Sequence, residues 1–148
     1  MTRIISDAQK RSVFNAIPSH VSISGTVFNA SKIWVNQEIM NYPTITLNIS
    51  SLGAASDFCD VQDGVLYRVS LLTIHVLTKT IPGGPHADNL AGALSNTIIE
   101  EIEKWVDPLQ GDVRIFDPSE DIAATLNMGT LKETSVSDYV TSVKLYHS

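Results

Sequence analysis

The sequence predicts an α+β fold: a mostly antiparallel sheet with an N-terminal helix and one long amphipathic helix packed on one side. Three observations lead there. Residues 45–79 alternate with the period of strands, residues 86–106 repeat with the period of a helix, and residues 139–146 return to the strand period. The 148 residues are the length of one domain, 1–148, with enough interior to take roughly two-thirds of the unfolded surface out of water.

The first element is announced by Ser6-Asp7-Ala8-Gln9, a capping box in which the serine hydroxyl and the glutamine amide satisfy the first free backbone N–H groups. Its helix runs to about Ala16 and stops before Pro18, with Val13, Phe14 and Ile17 on one side. Residues 21–28 alternate apolar and polar around Gly25, as in one strand carrying a bulge or bend. Residues 33–35 suggest a second short strand. Pro43 opens the next, since proline is tolerated at a strand's first residue.

Ile45, Leu47 and Ile49 then point one way and Thr46, Asn48 and Ser50 the other, a half-buried strand. Residues 51–64, with Gly53, Gly64, Asp57, Asp60 and Asp63, read as a long hairpin connection. Over residues 65–79 a second strand becomes apolar on both faces in its later half, which places it centrally or beneath a partner subunit. Pro82-Gly83-Gly84-Pro85 ends it. At 100° per residue, Leu90, Ala91, Leu94, Ile98, Ile99, Ile102, Trp105 and Val106 share about half of a helix circumference, with only Ser95 and Glu101 intruding. Asp107-Pro108 closes that helix. Residues 113–116 suggest a strand and residues 119–136 a loop or irregular hairpin; residues 139–146 form a good closing strand.

Composition narrows function. The net charge of −6 and the scattered ten Lys and Arg argue against a protein held to nucleic acid by phosphate contacts. Charged residues are only 18% of the chain, so much of the surface is Ser, Thr and Asn or is covered by another protein. Carboxylates concentrate in residues 100–121, facing only Lys104 and Arg114. A solvated acidic face is the ordinary account, and a surface that repels or guides a polyanion the sharper one. Cys59 stands alone, which excludes an intramolecular disulfide and fits a reducing compartment. The first residues, MTRIISDAQK, lack the apolar segment of a secretory signal, and no apolar run approaches the ~20 residues of a membrane span.

Catalytic chemistry finds no foothold. Asp57, Asp60 and Asp63 recur at every third residue, not at every second as a calcium loop requires, so turn formation explains them better. His20, His75, His86 and His147 have no metal-ligand spacing; His75 is expected to be a sheet residue and His86 a helix cap. Cys59 has no nearby histidine and is expected to be a half-buried structural thiol. Phosphate-loop, nucleophile-elbow and paired-cysteine motifs are missing from the sequence.

The order of elements carries one resemblance. A capped helix leads to the strand Tyr42-Pro43-Thr44-Ile45-Thr46-Leu47, and a polar loop to the long strand Tyr67-Arg68-Val69-Ser70-Leu71-Leu72-Thr73-Ile74-His75-Val76. A Pro/Gly turn, the helix of residues 87–105 and the strand Tyr139-Val140-Thr141-Ser142-Val143-Lys144-Leu145 follow. Over most of its length the chain resembles the tail terminator, or tail-completion, proteins of long-tailed bacteriophages and related archaeal viruses. The resemblance implies a structural virion protein, a homo-oligomeric and usually hexameric ring that caps the tail tube and joins it to the head connector. Its partners would be the tail tube protein and the connector protein, with DNA only as cargo in the channel and no membrane. It implies a place in the tail or neck, assembly in the host cytoplasm, and no catalytic residue, metal or cofactor. On that footing Asp57, Asp60, Asp63, Glu120 and Asp121 become candidates for the subunit interface or the channel wall. Another head–tail joining or head-completion protein shares the same logic. A small cellular ligand-binding domain, with a pocket between helix and sheet, is the rival from a different class.

Overall fold

The computed structural model describes residues 4–60, 65–127 and 136–148; at 54–60, 65, 66, 126 and 127 it describes the backbone alone. Helix α1, Asp7–Ala16, begins with the expected capping box. Ser6 Oγ accepts the Gln9 N–H at 3.2 Å and Gln9 Oε1 accepts the Ser6 N–H at 2.9 Å. Val13 and the C-cap residue Ile17 are fully buried.

Strands β1, His20–Ile23, and β2, Thr26–Asn29, form a separate antiparallel hairpin. The sequence suggested one bent strand here, and the structure corrects it. Ser24 and Gly25 hold φ of 51° and 83°, the pair of positive values that a tight hairpin turn needs. Polar–apolar alternation passes through such a turn uninterrupted, so periodicity alone does not reveal it.

Strand β3, Ser31–Trp34, runs parallel to the start of β4, Thr44–Asp60, and residues 35–43 join them through a cis Tyr42–Pro43 peptide. Strand β5, Val65–Lys79, returns antiparallel to β4. The expected long connection at 51–64 is therefore mostly strand. Two shifts of register, between Ser51 and Gly53 and between Ala54 and Cys59, absorb the residues that do not fit the ladder.

Helix α2, Ala87–Ile102, tightens into a 3-10 turn over Glu103–Val106, so the expected helical span is kept but its last turn changes type. After it come β6, Val113–Arg114, the single turn α3, Pro118–Asp121, then β7, Ile122–Asn127, and β8, Val136–His147. Among the described residues the sheet order is β3-β4-β5-β8, with β7 and β6 sharing the other edge of β8.

Alternation then sorts the side chains. Ser70, Leu72, Ile74, Val76 and Thr78 of β5 are fully buried on the helical side. Ile45 and Leu47 of β4 and Val143 and Leu145 of β8 lie beside them. Against them pack Leu90, Ala91, Leu94, Ile98 and Ile102 of α2, with Trp105 and Val13 completing one cluster. Each large side chain removed from water contributes about 1.5–3 kcal/mol, so this side holds the fold together. The opposite side of β5 (Val69, Leu71, Thr73, His75 and Leu77) stays half-buried.

Candidate interaction surface

Among the described residues no three His, Cys, Asp or Glu side chains gather as a metal site would need. No helix there is long and apolar enough to cross a membrane. The space between α2 and the sheet is filled by Leu90, Leu94 and Ile98, each at most 1% exposed. Attention passes to the face of the sheet that the helices leave uncovered.

Register fixes what that face carries. Cross-strand partners share a face, so Asn48 lies beside Thr73 and Ser142, Thr46 beside His75 and Val140, and Ser50 beside Leu71 and Lys144. The mixture is hydroxyls, amides and aliphatics with little charge, as expected of a surface that meets protein.

One end of the face is roofed. Phe116 packs edge-on against Tyr67 at 5.3 Å and against Tyr146 at 4.9 Å between ring centres. Asp121, only 6% exposed, pins the roof. Its Oδ2 accepts the N–H groups of Phe116 and Asp117, both at 2.9 Å, and its Oδ1 accepts the Tyr146 hydroxyl at 3.2 Å. All three bonds are made within the chain, so Asp121 is a structural carboxylate.

The other end carries a histidine–carboxylate pair. His75 Nδ1 sits 3.0 and 3.1 Å from the two oxygens of Asp138, whose side chain is largely buried. The hydrogen bond to Asp138 holds the His75 imidazole above its usual range against an opposing cost of burial, and the Asp138 charge adds to it. Beyond, Lys79 lies over the Tyr42 ring at 4.5 Å. Tyr42 belongs to a run of exposed apolar residues with Val35, Ile39 and Met40.

A second histidine is spent inside. His147 is fully buried, its Nε2 2.7 Å from Ser70 Oγ. Burial pushes its pKa down; the Ser148 carbonyl pulls it partly back and the Arg68 charge lowers it further.

Of the five acidic residues singled out from sequence, only Glu120 and Asp121 have side chains among the described residues. Glu120 is exposed on α3, while Asp121 beside it points into the fold. Asp57 and Asp60 lie on β4 with their side chains outside the described residues, as is that of Cys59; Asp63 lies outside them altogether. His86 caps α2, accepting the Asp88 N–H at 3.3 Å. The His75–Asp138 and Ser70–His147 pairs were missed because each joins residues at least 63 apart, and only the β5–β8 register reveals them. Comparison with protein-family models, with curated proteins and with solved structures returns no match.

Proposed function

We propose that this chain is a structural subunit of a viral tail: a tail terminator that assembles as a hexameric ring on the tail tube and meets the head connector. DNA passes through the ring as cargo, and the chain works without catalysis, metal or cofactor. Its place is the tail or neck of the virion after assembly in the host cytoplasm.

The observation that carries this reading is the division of the sheet. One face is sealed by helices; the other is low in charge, rich in Thr, Ser and Asn, and left half-buried through the centre of β5. A surface of that kind suits burial against other protein. The order of capped helix, long antiparallel pair, amphipathic helix and closing strand supports the same assignment. Glu120 remains a candidate for a contact or the channel wall, and Asp57 and Asp60 of β4, with Asp63, remain candidates for contacts with the tube.

The test is mass in solution. Light scattering at micromolar concentration, with and without tube protein, is expected to give a ring several-fold heavier than the chain, and electron microscopy to give annular particles. A strict monomer under every condition overturns the proposal. A ring that binds connector protein but never tube protein overturns the terminator assignment in favour of another neck component.

A further inference from the structure

The described part of the sheet has two uncovered edges, on opposite flanks. On one flank, β7 pairs with β8 alone, and Ala123, Ala124 and Thr125 are exposed although they alternate between the two faces. Neither helices nor strands among the described residues cover it there. On the other flank, β3 pairs with Thr44–Leu47 only, so the outer edge of β4 is free from Asn48 onward. Ser50 and Ser51 are exposed on opposite faces, and Leu52 is 54% exposed. Neither stretch, residues 48–53 or 122–127, contains a charge or a proline. Charge and proline are two of the devices that ordinarily keep a free edge from pairing; a third, an irregularity in the strand, falls between Ser51 and Gly53 at the far end of the β4 stretch.

The geometry points to β7 of one copy adding antiparallel to residues 48–53 of β4 in a second copy. Three features choose this pairing. Strands β4, β5, β8 and β7 alternate in direction, so a second copy set head-to-tail presents β4 antiparallel to β7 and the alternation continues. A heterologous contact of this kind repeats around a ring.

Register agrees. Read across the sheet, Ile122 to Asn127 lie level with Ile49 to Thr44. Because β3 already occupies the edge at Thr44–Leu47, an incoming β7 must move up by four residues to begin at Asn48. The shift is even, so each residue keeps its face: Ala124 meets Ser51 and Thr125 meets Ser50. Four residues of stagger for every four strands is the ratio found when a sheet closes at a tilt of about 36°.

The third feature is a cleft. Just beyond the end of β3, Lys10 of α1 together with Trp34, Val35, Asn36, Leu47, Asn48 and Ile49 lines a depression of about 360 Å³. It lies where the incoming β7 would end, beside the 56% exposed Val35.

The inference rests on the self-association proposed above and names the surfaces that would carry it. The test is disulfide trapping in a Cys59→Ser background. Ala124→Cys with Ser51→Cys, and separately Thr125→Cys with Ser50→Cys, are oxidised in the assembled protein. Adjacent antiparallel pairs alternate in Cβ separation, so one of the two lies within bonding range. The expected result is a ladder of covalent multimers for one double variant and none for any single variant. A covalent dimer from Ala124→Cys alone indicates two-fold pairing of β7 with itself and overturns the inference. So does a full-size ring, seen by light scattering, that traps no multimers with either double variant; that outcome leaves the ring itself standing. A protein that is monomeric throughout overturns both. As a second measurement, Ala124→Lys is expected to weaken self-association about tenfold or more while far-UV dichroism stays unchanged, because a charge on a free edge blocks pairing.

Discussion

Asp121 carries more of the fold than its place in an acidic stretch suggests. Its carboxylate takes two backbone N–H groups and the Tyr146 hydroxyl, tying the turn before β7 to the far end of β8. Asp121→Asn offers one oxygen where the turn uses two, and is expected to destabilise the protein by about 1.5–3 kcal/mol in urea melts. Glu120→Gln, at an exposed neighbour, is expected to change nothing measurable. The histidines act in opposite directions. Folded His75 holds its proton more tightly than the unfolded chain does, so its pairing with Asp138 adds stability that is complete below about pH 6.5 and fades as pH rises through the folded value. Folded His147 holds its proton less tightly, so its contribution is present above about pH 6.5 and is lost as pH falls through the folded value. Asp138→Asn is therefore expected to cost about 0.5–1 kcal/mol at pH 5.5 and clearly less at pH 8, the small size following from the partial exposure of His75. Equal losses at both pH values would show that the charge on His75 plays no part.

At the scale of elements, α2 contains one residue at odds with its surroundings. Ser95 is fully buried, and its hydroxyl finds no hydrogen-bond partner among the described residues. Ser95→Ala removes that unpaired group and improves helix propensity. A gain of about 0.5–1.5 kcal/mol in denaturant midpoint analysis is expected. The two longer helices were legible in the sequence because their signals are local: the capping box sits within Ser6–Gln9, and the apolar stripe of α2 repeats every turn; the single turn α3 was not. Strands that depend on distant partners were not. Residues 51–60 look like a loop from their Gly, Ser and Asp content, and they extend because β5 supplies a ladder that tolerates two irregularities. The six residues of β7 have too weak a pattern alone and are ordered by pairing with Asp138–Val143. The same reasoning covers the candidate site. The acidity of Asp121 is written in the sequence, but its inward orientation depends on a tyrosine 25 residues away.

For the whole molecule, fold class and the sidedness of the sheet were both legible, because one broad apolar helix face and one strand apolar on both faces can be counted in the sequence. Where the free edges fall was not, since an edge is defined by which strands fail to reach it. If copies assemble as proposed, folding and association are linked, and the thermal midpoint is expected to rise with protein concentration in calorimetry. A midpoint independent of concentration across a hundredfold range would separate the two.

The position of β8 has a kinetic consequence. It is the strand that β5, β6 and β7 all pair with, and it follows every one of them in the chain. During synthesis β5 and α2 therefore emerge with their apolar faces made but one flank of the sheet unfilled. The ladder between β5 and β8 joins residues dozens of positions apart, a separation that slows the search for native contacts. The nascent chain spends that interval with β5 paired on one side only. The arrival of β8 joins β6 and β7 to a sheet that β3, β4 and β5 already form.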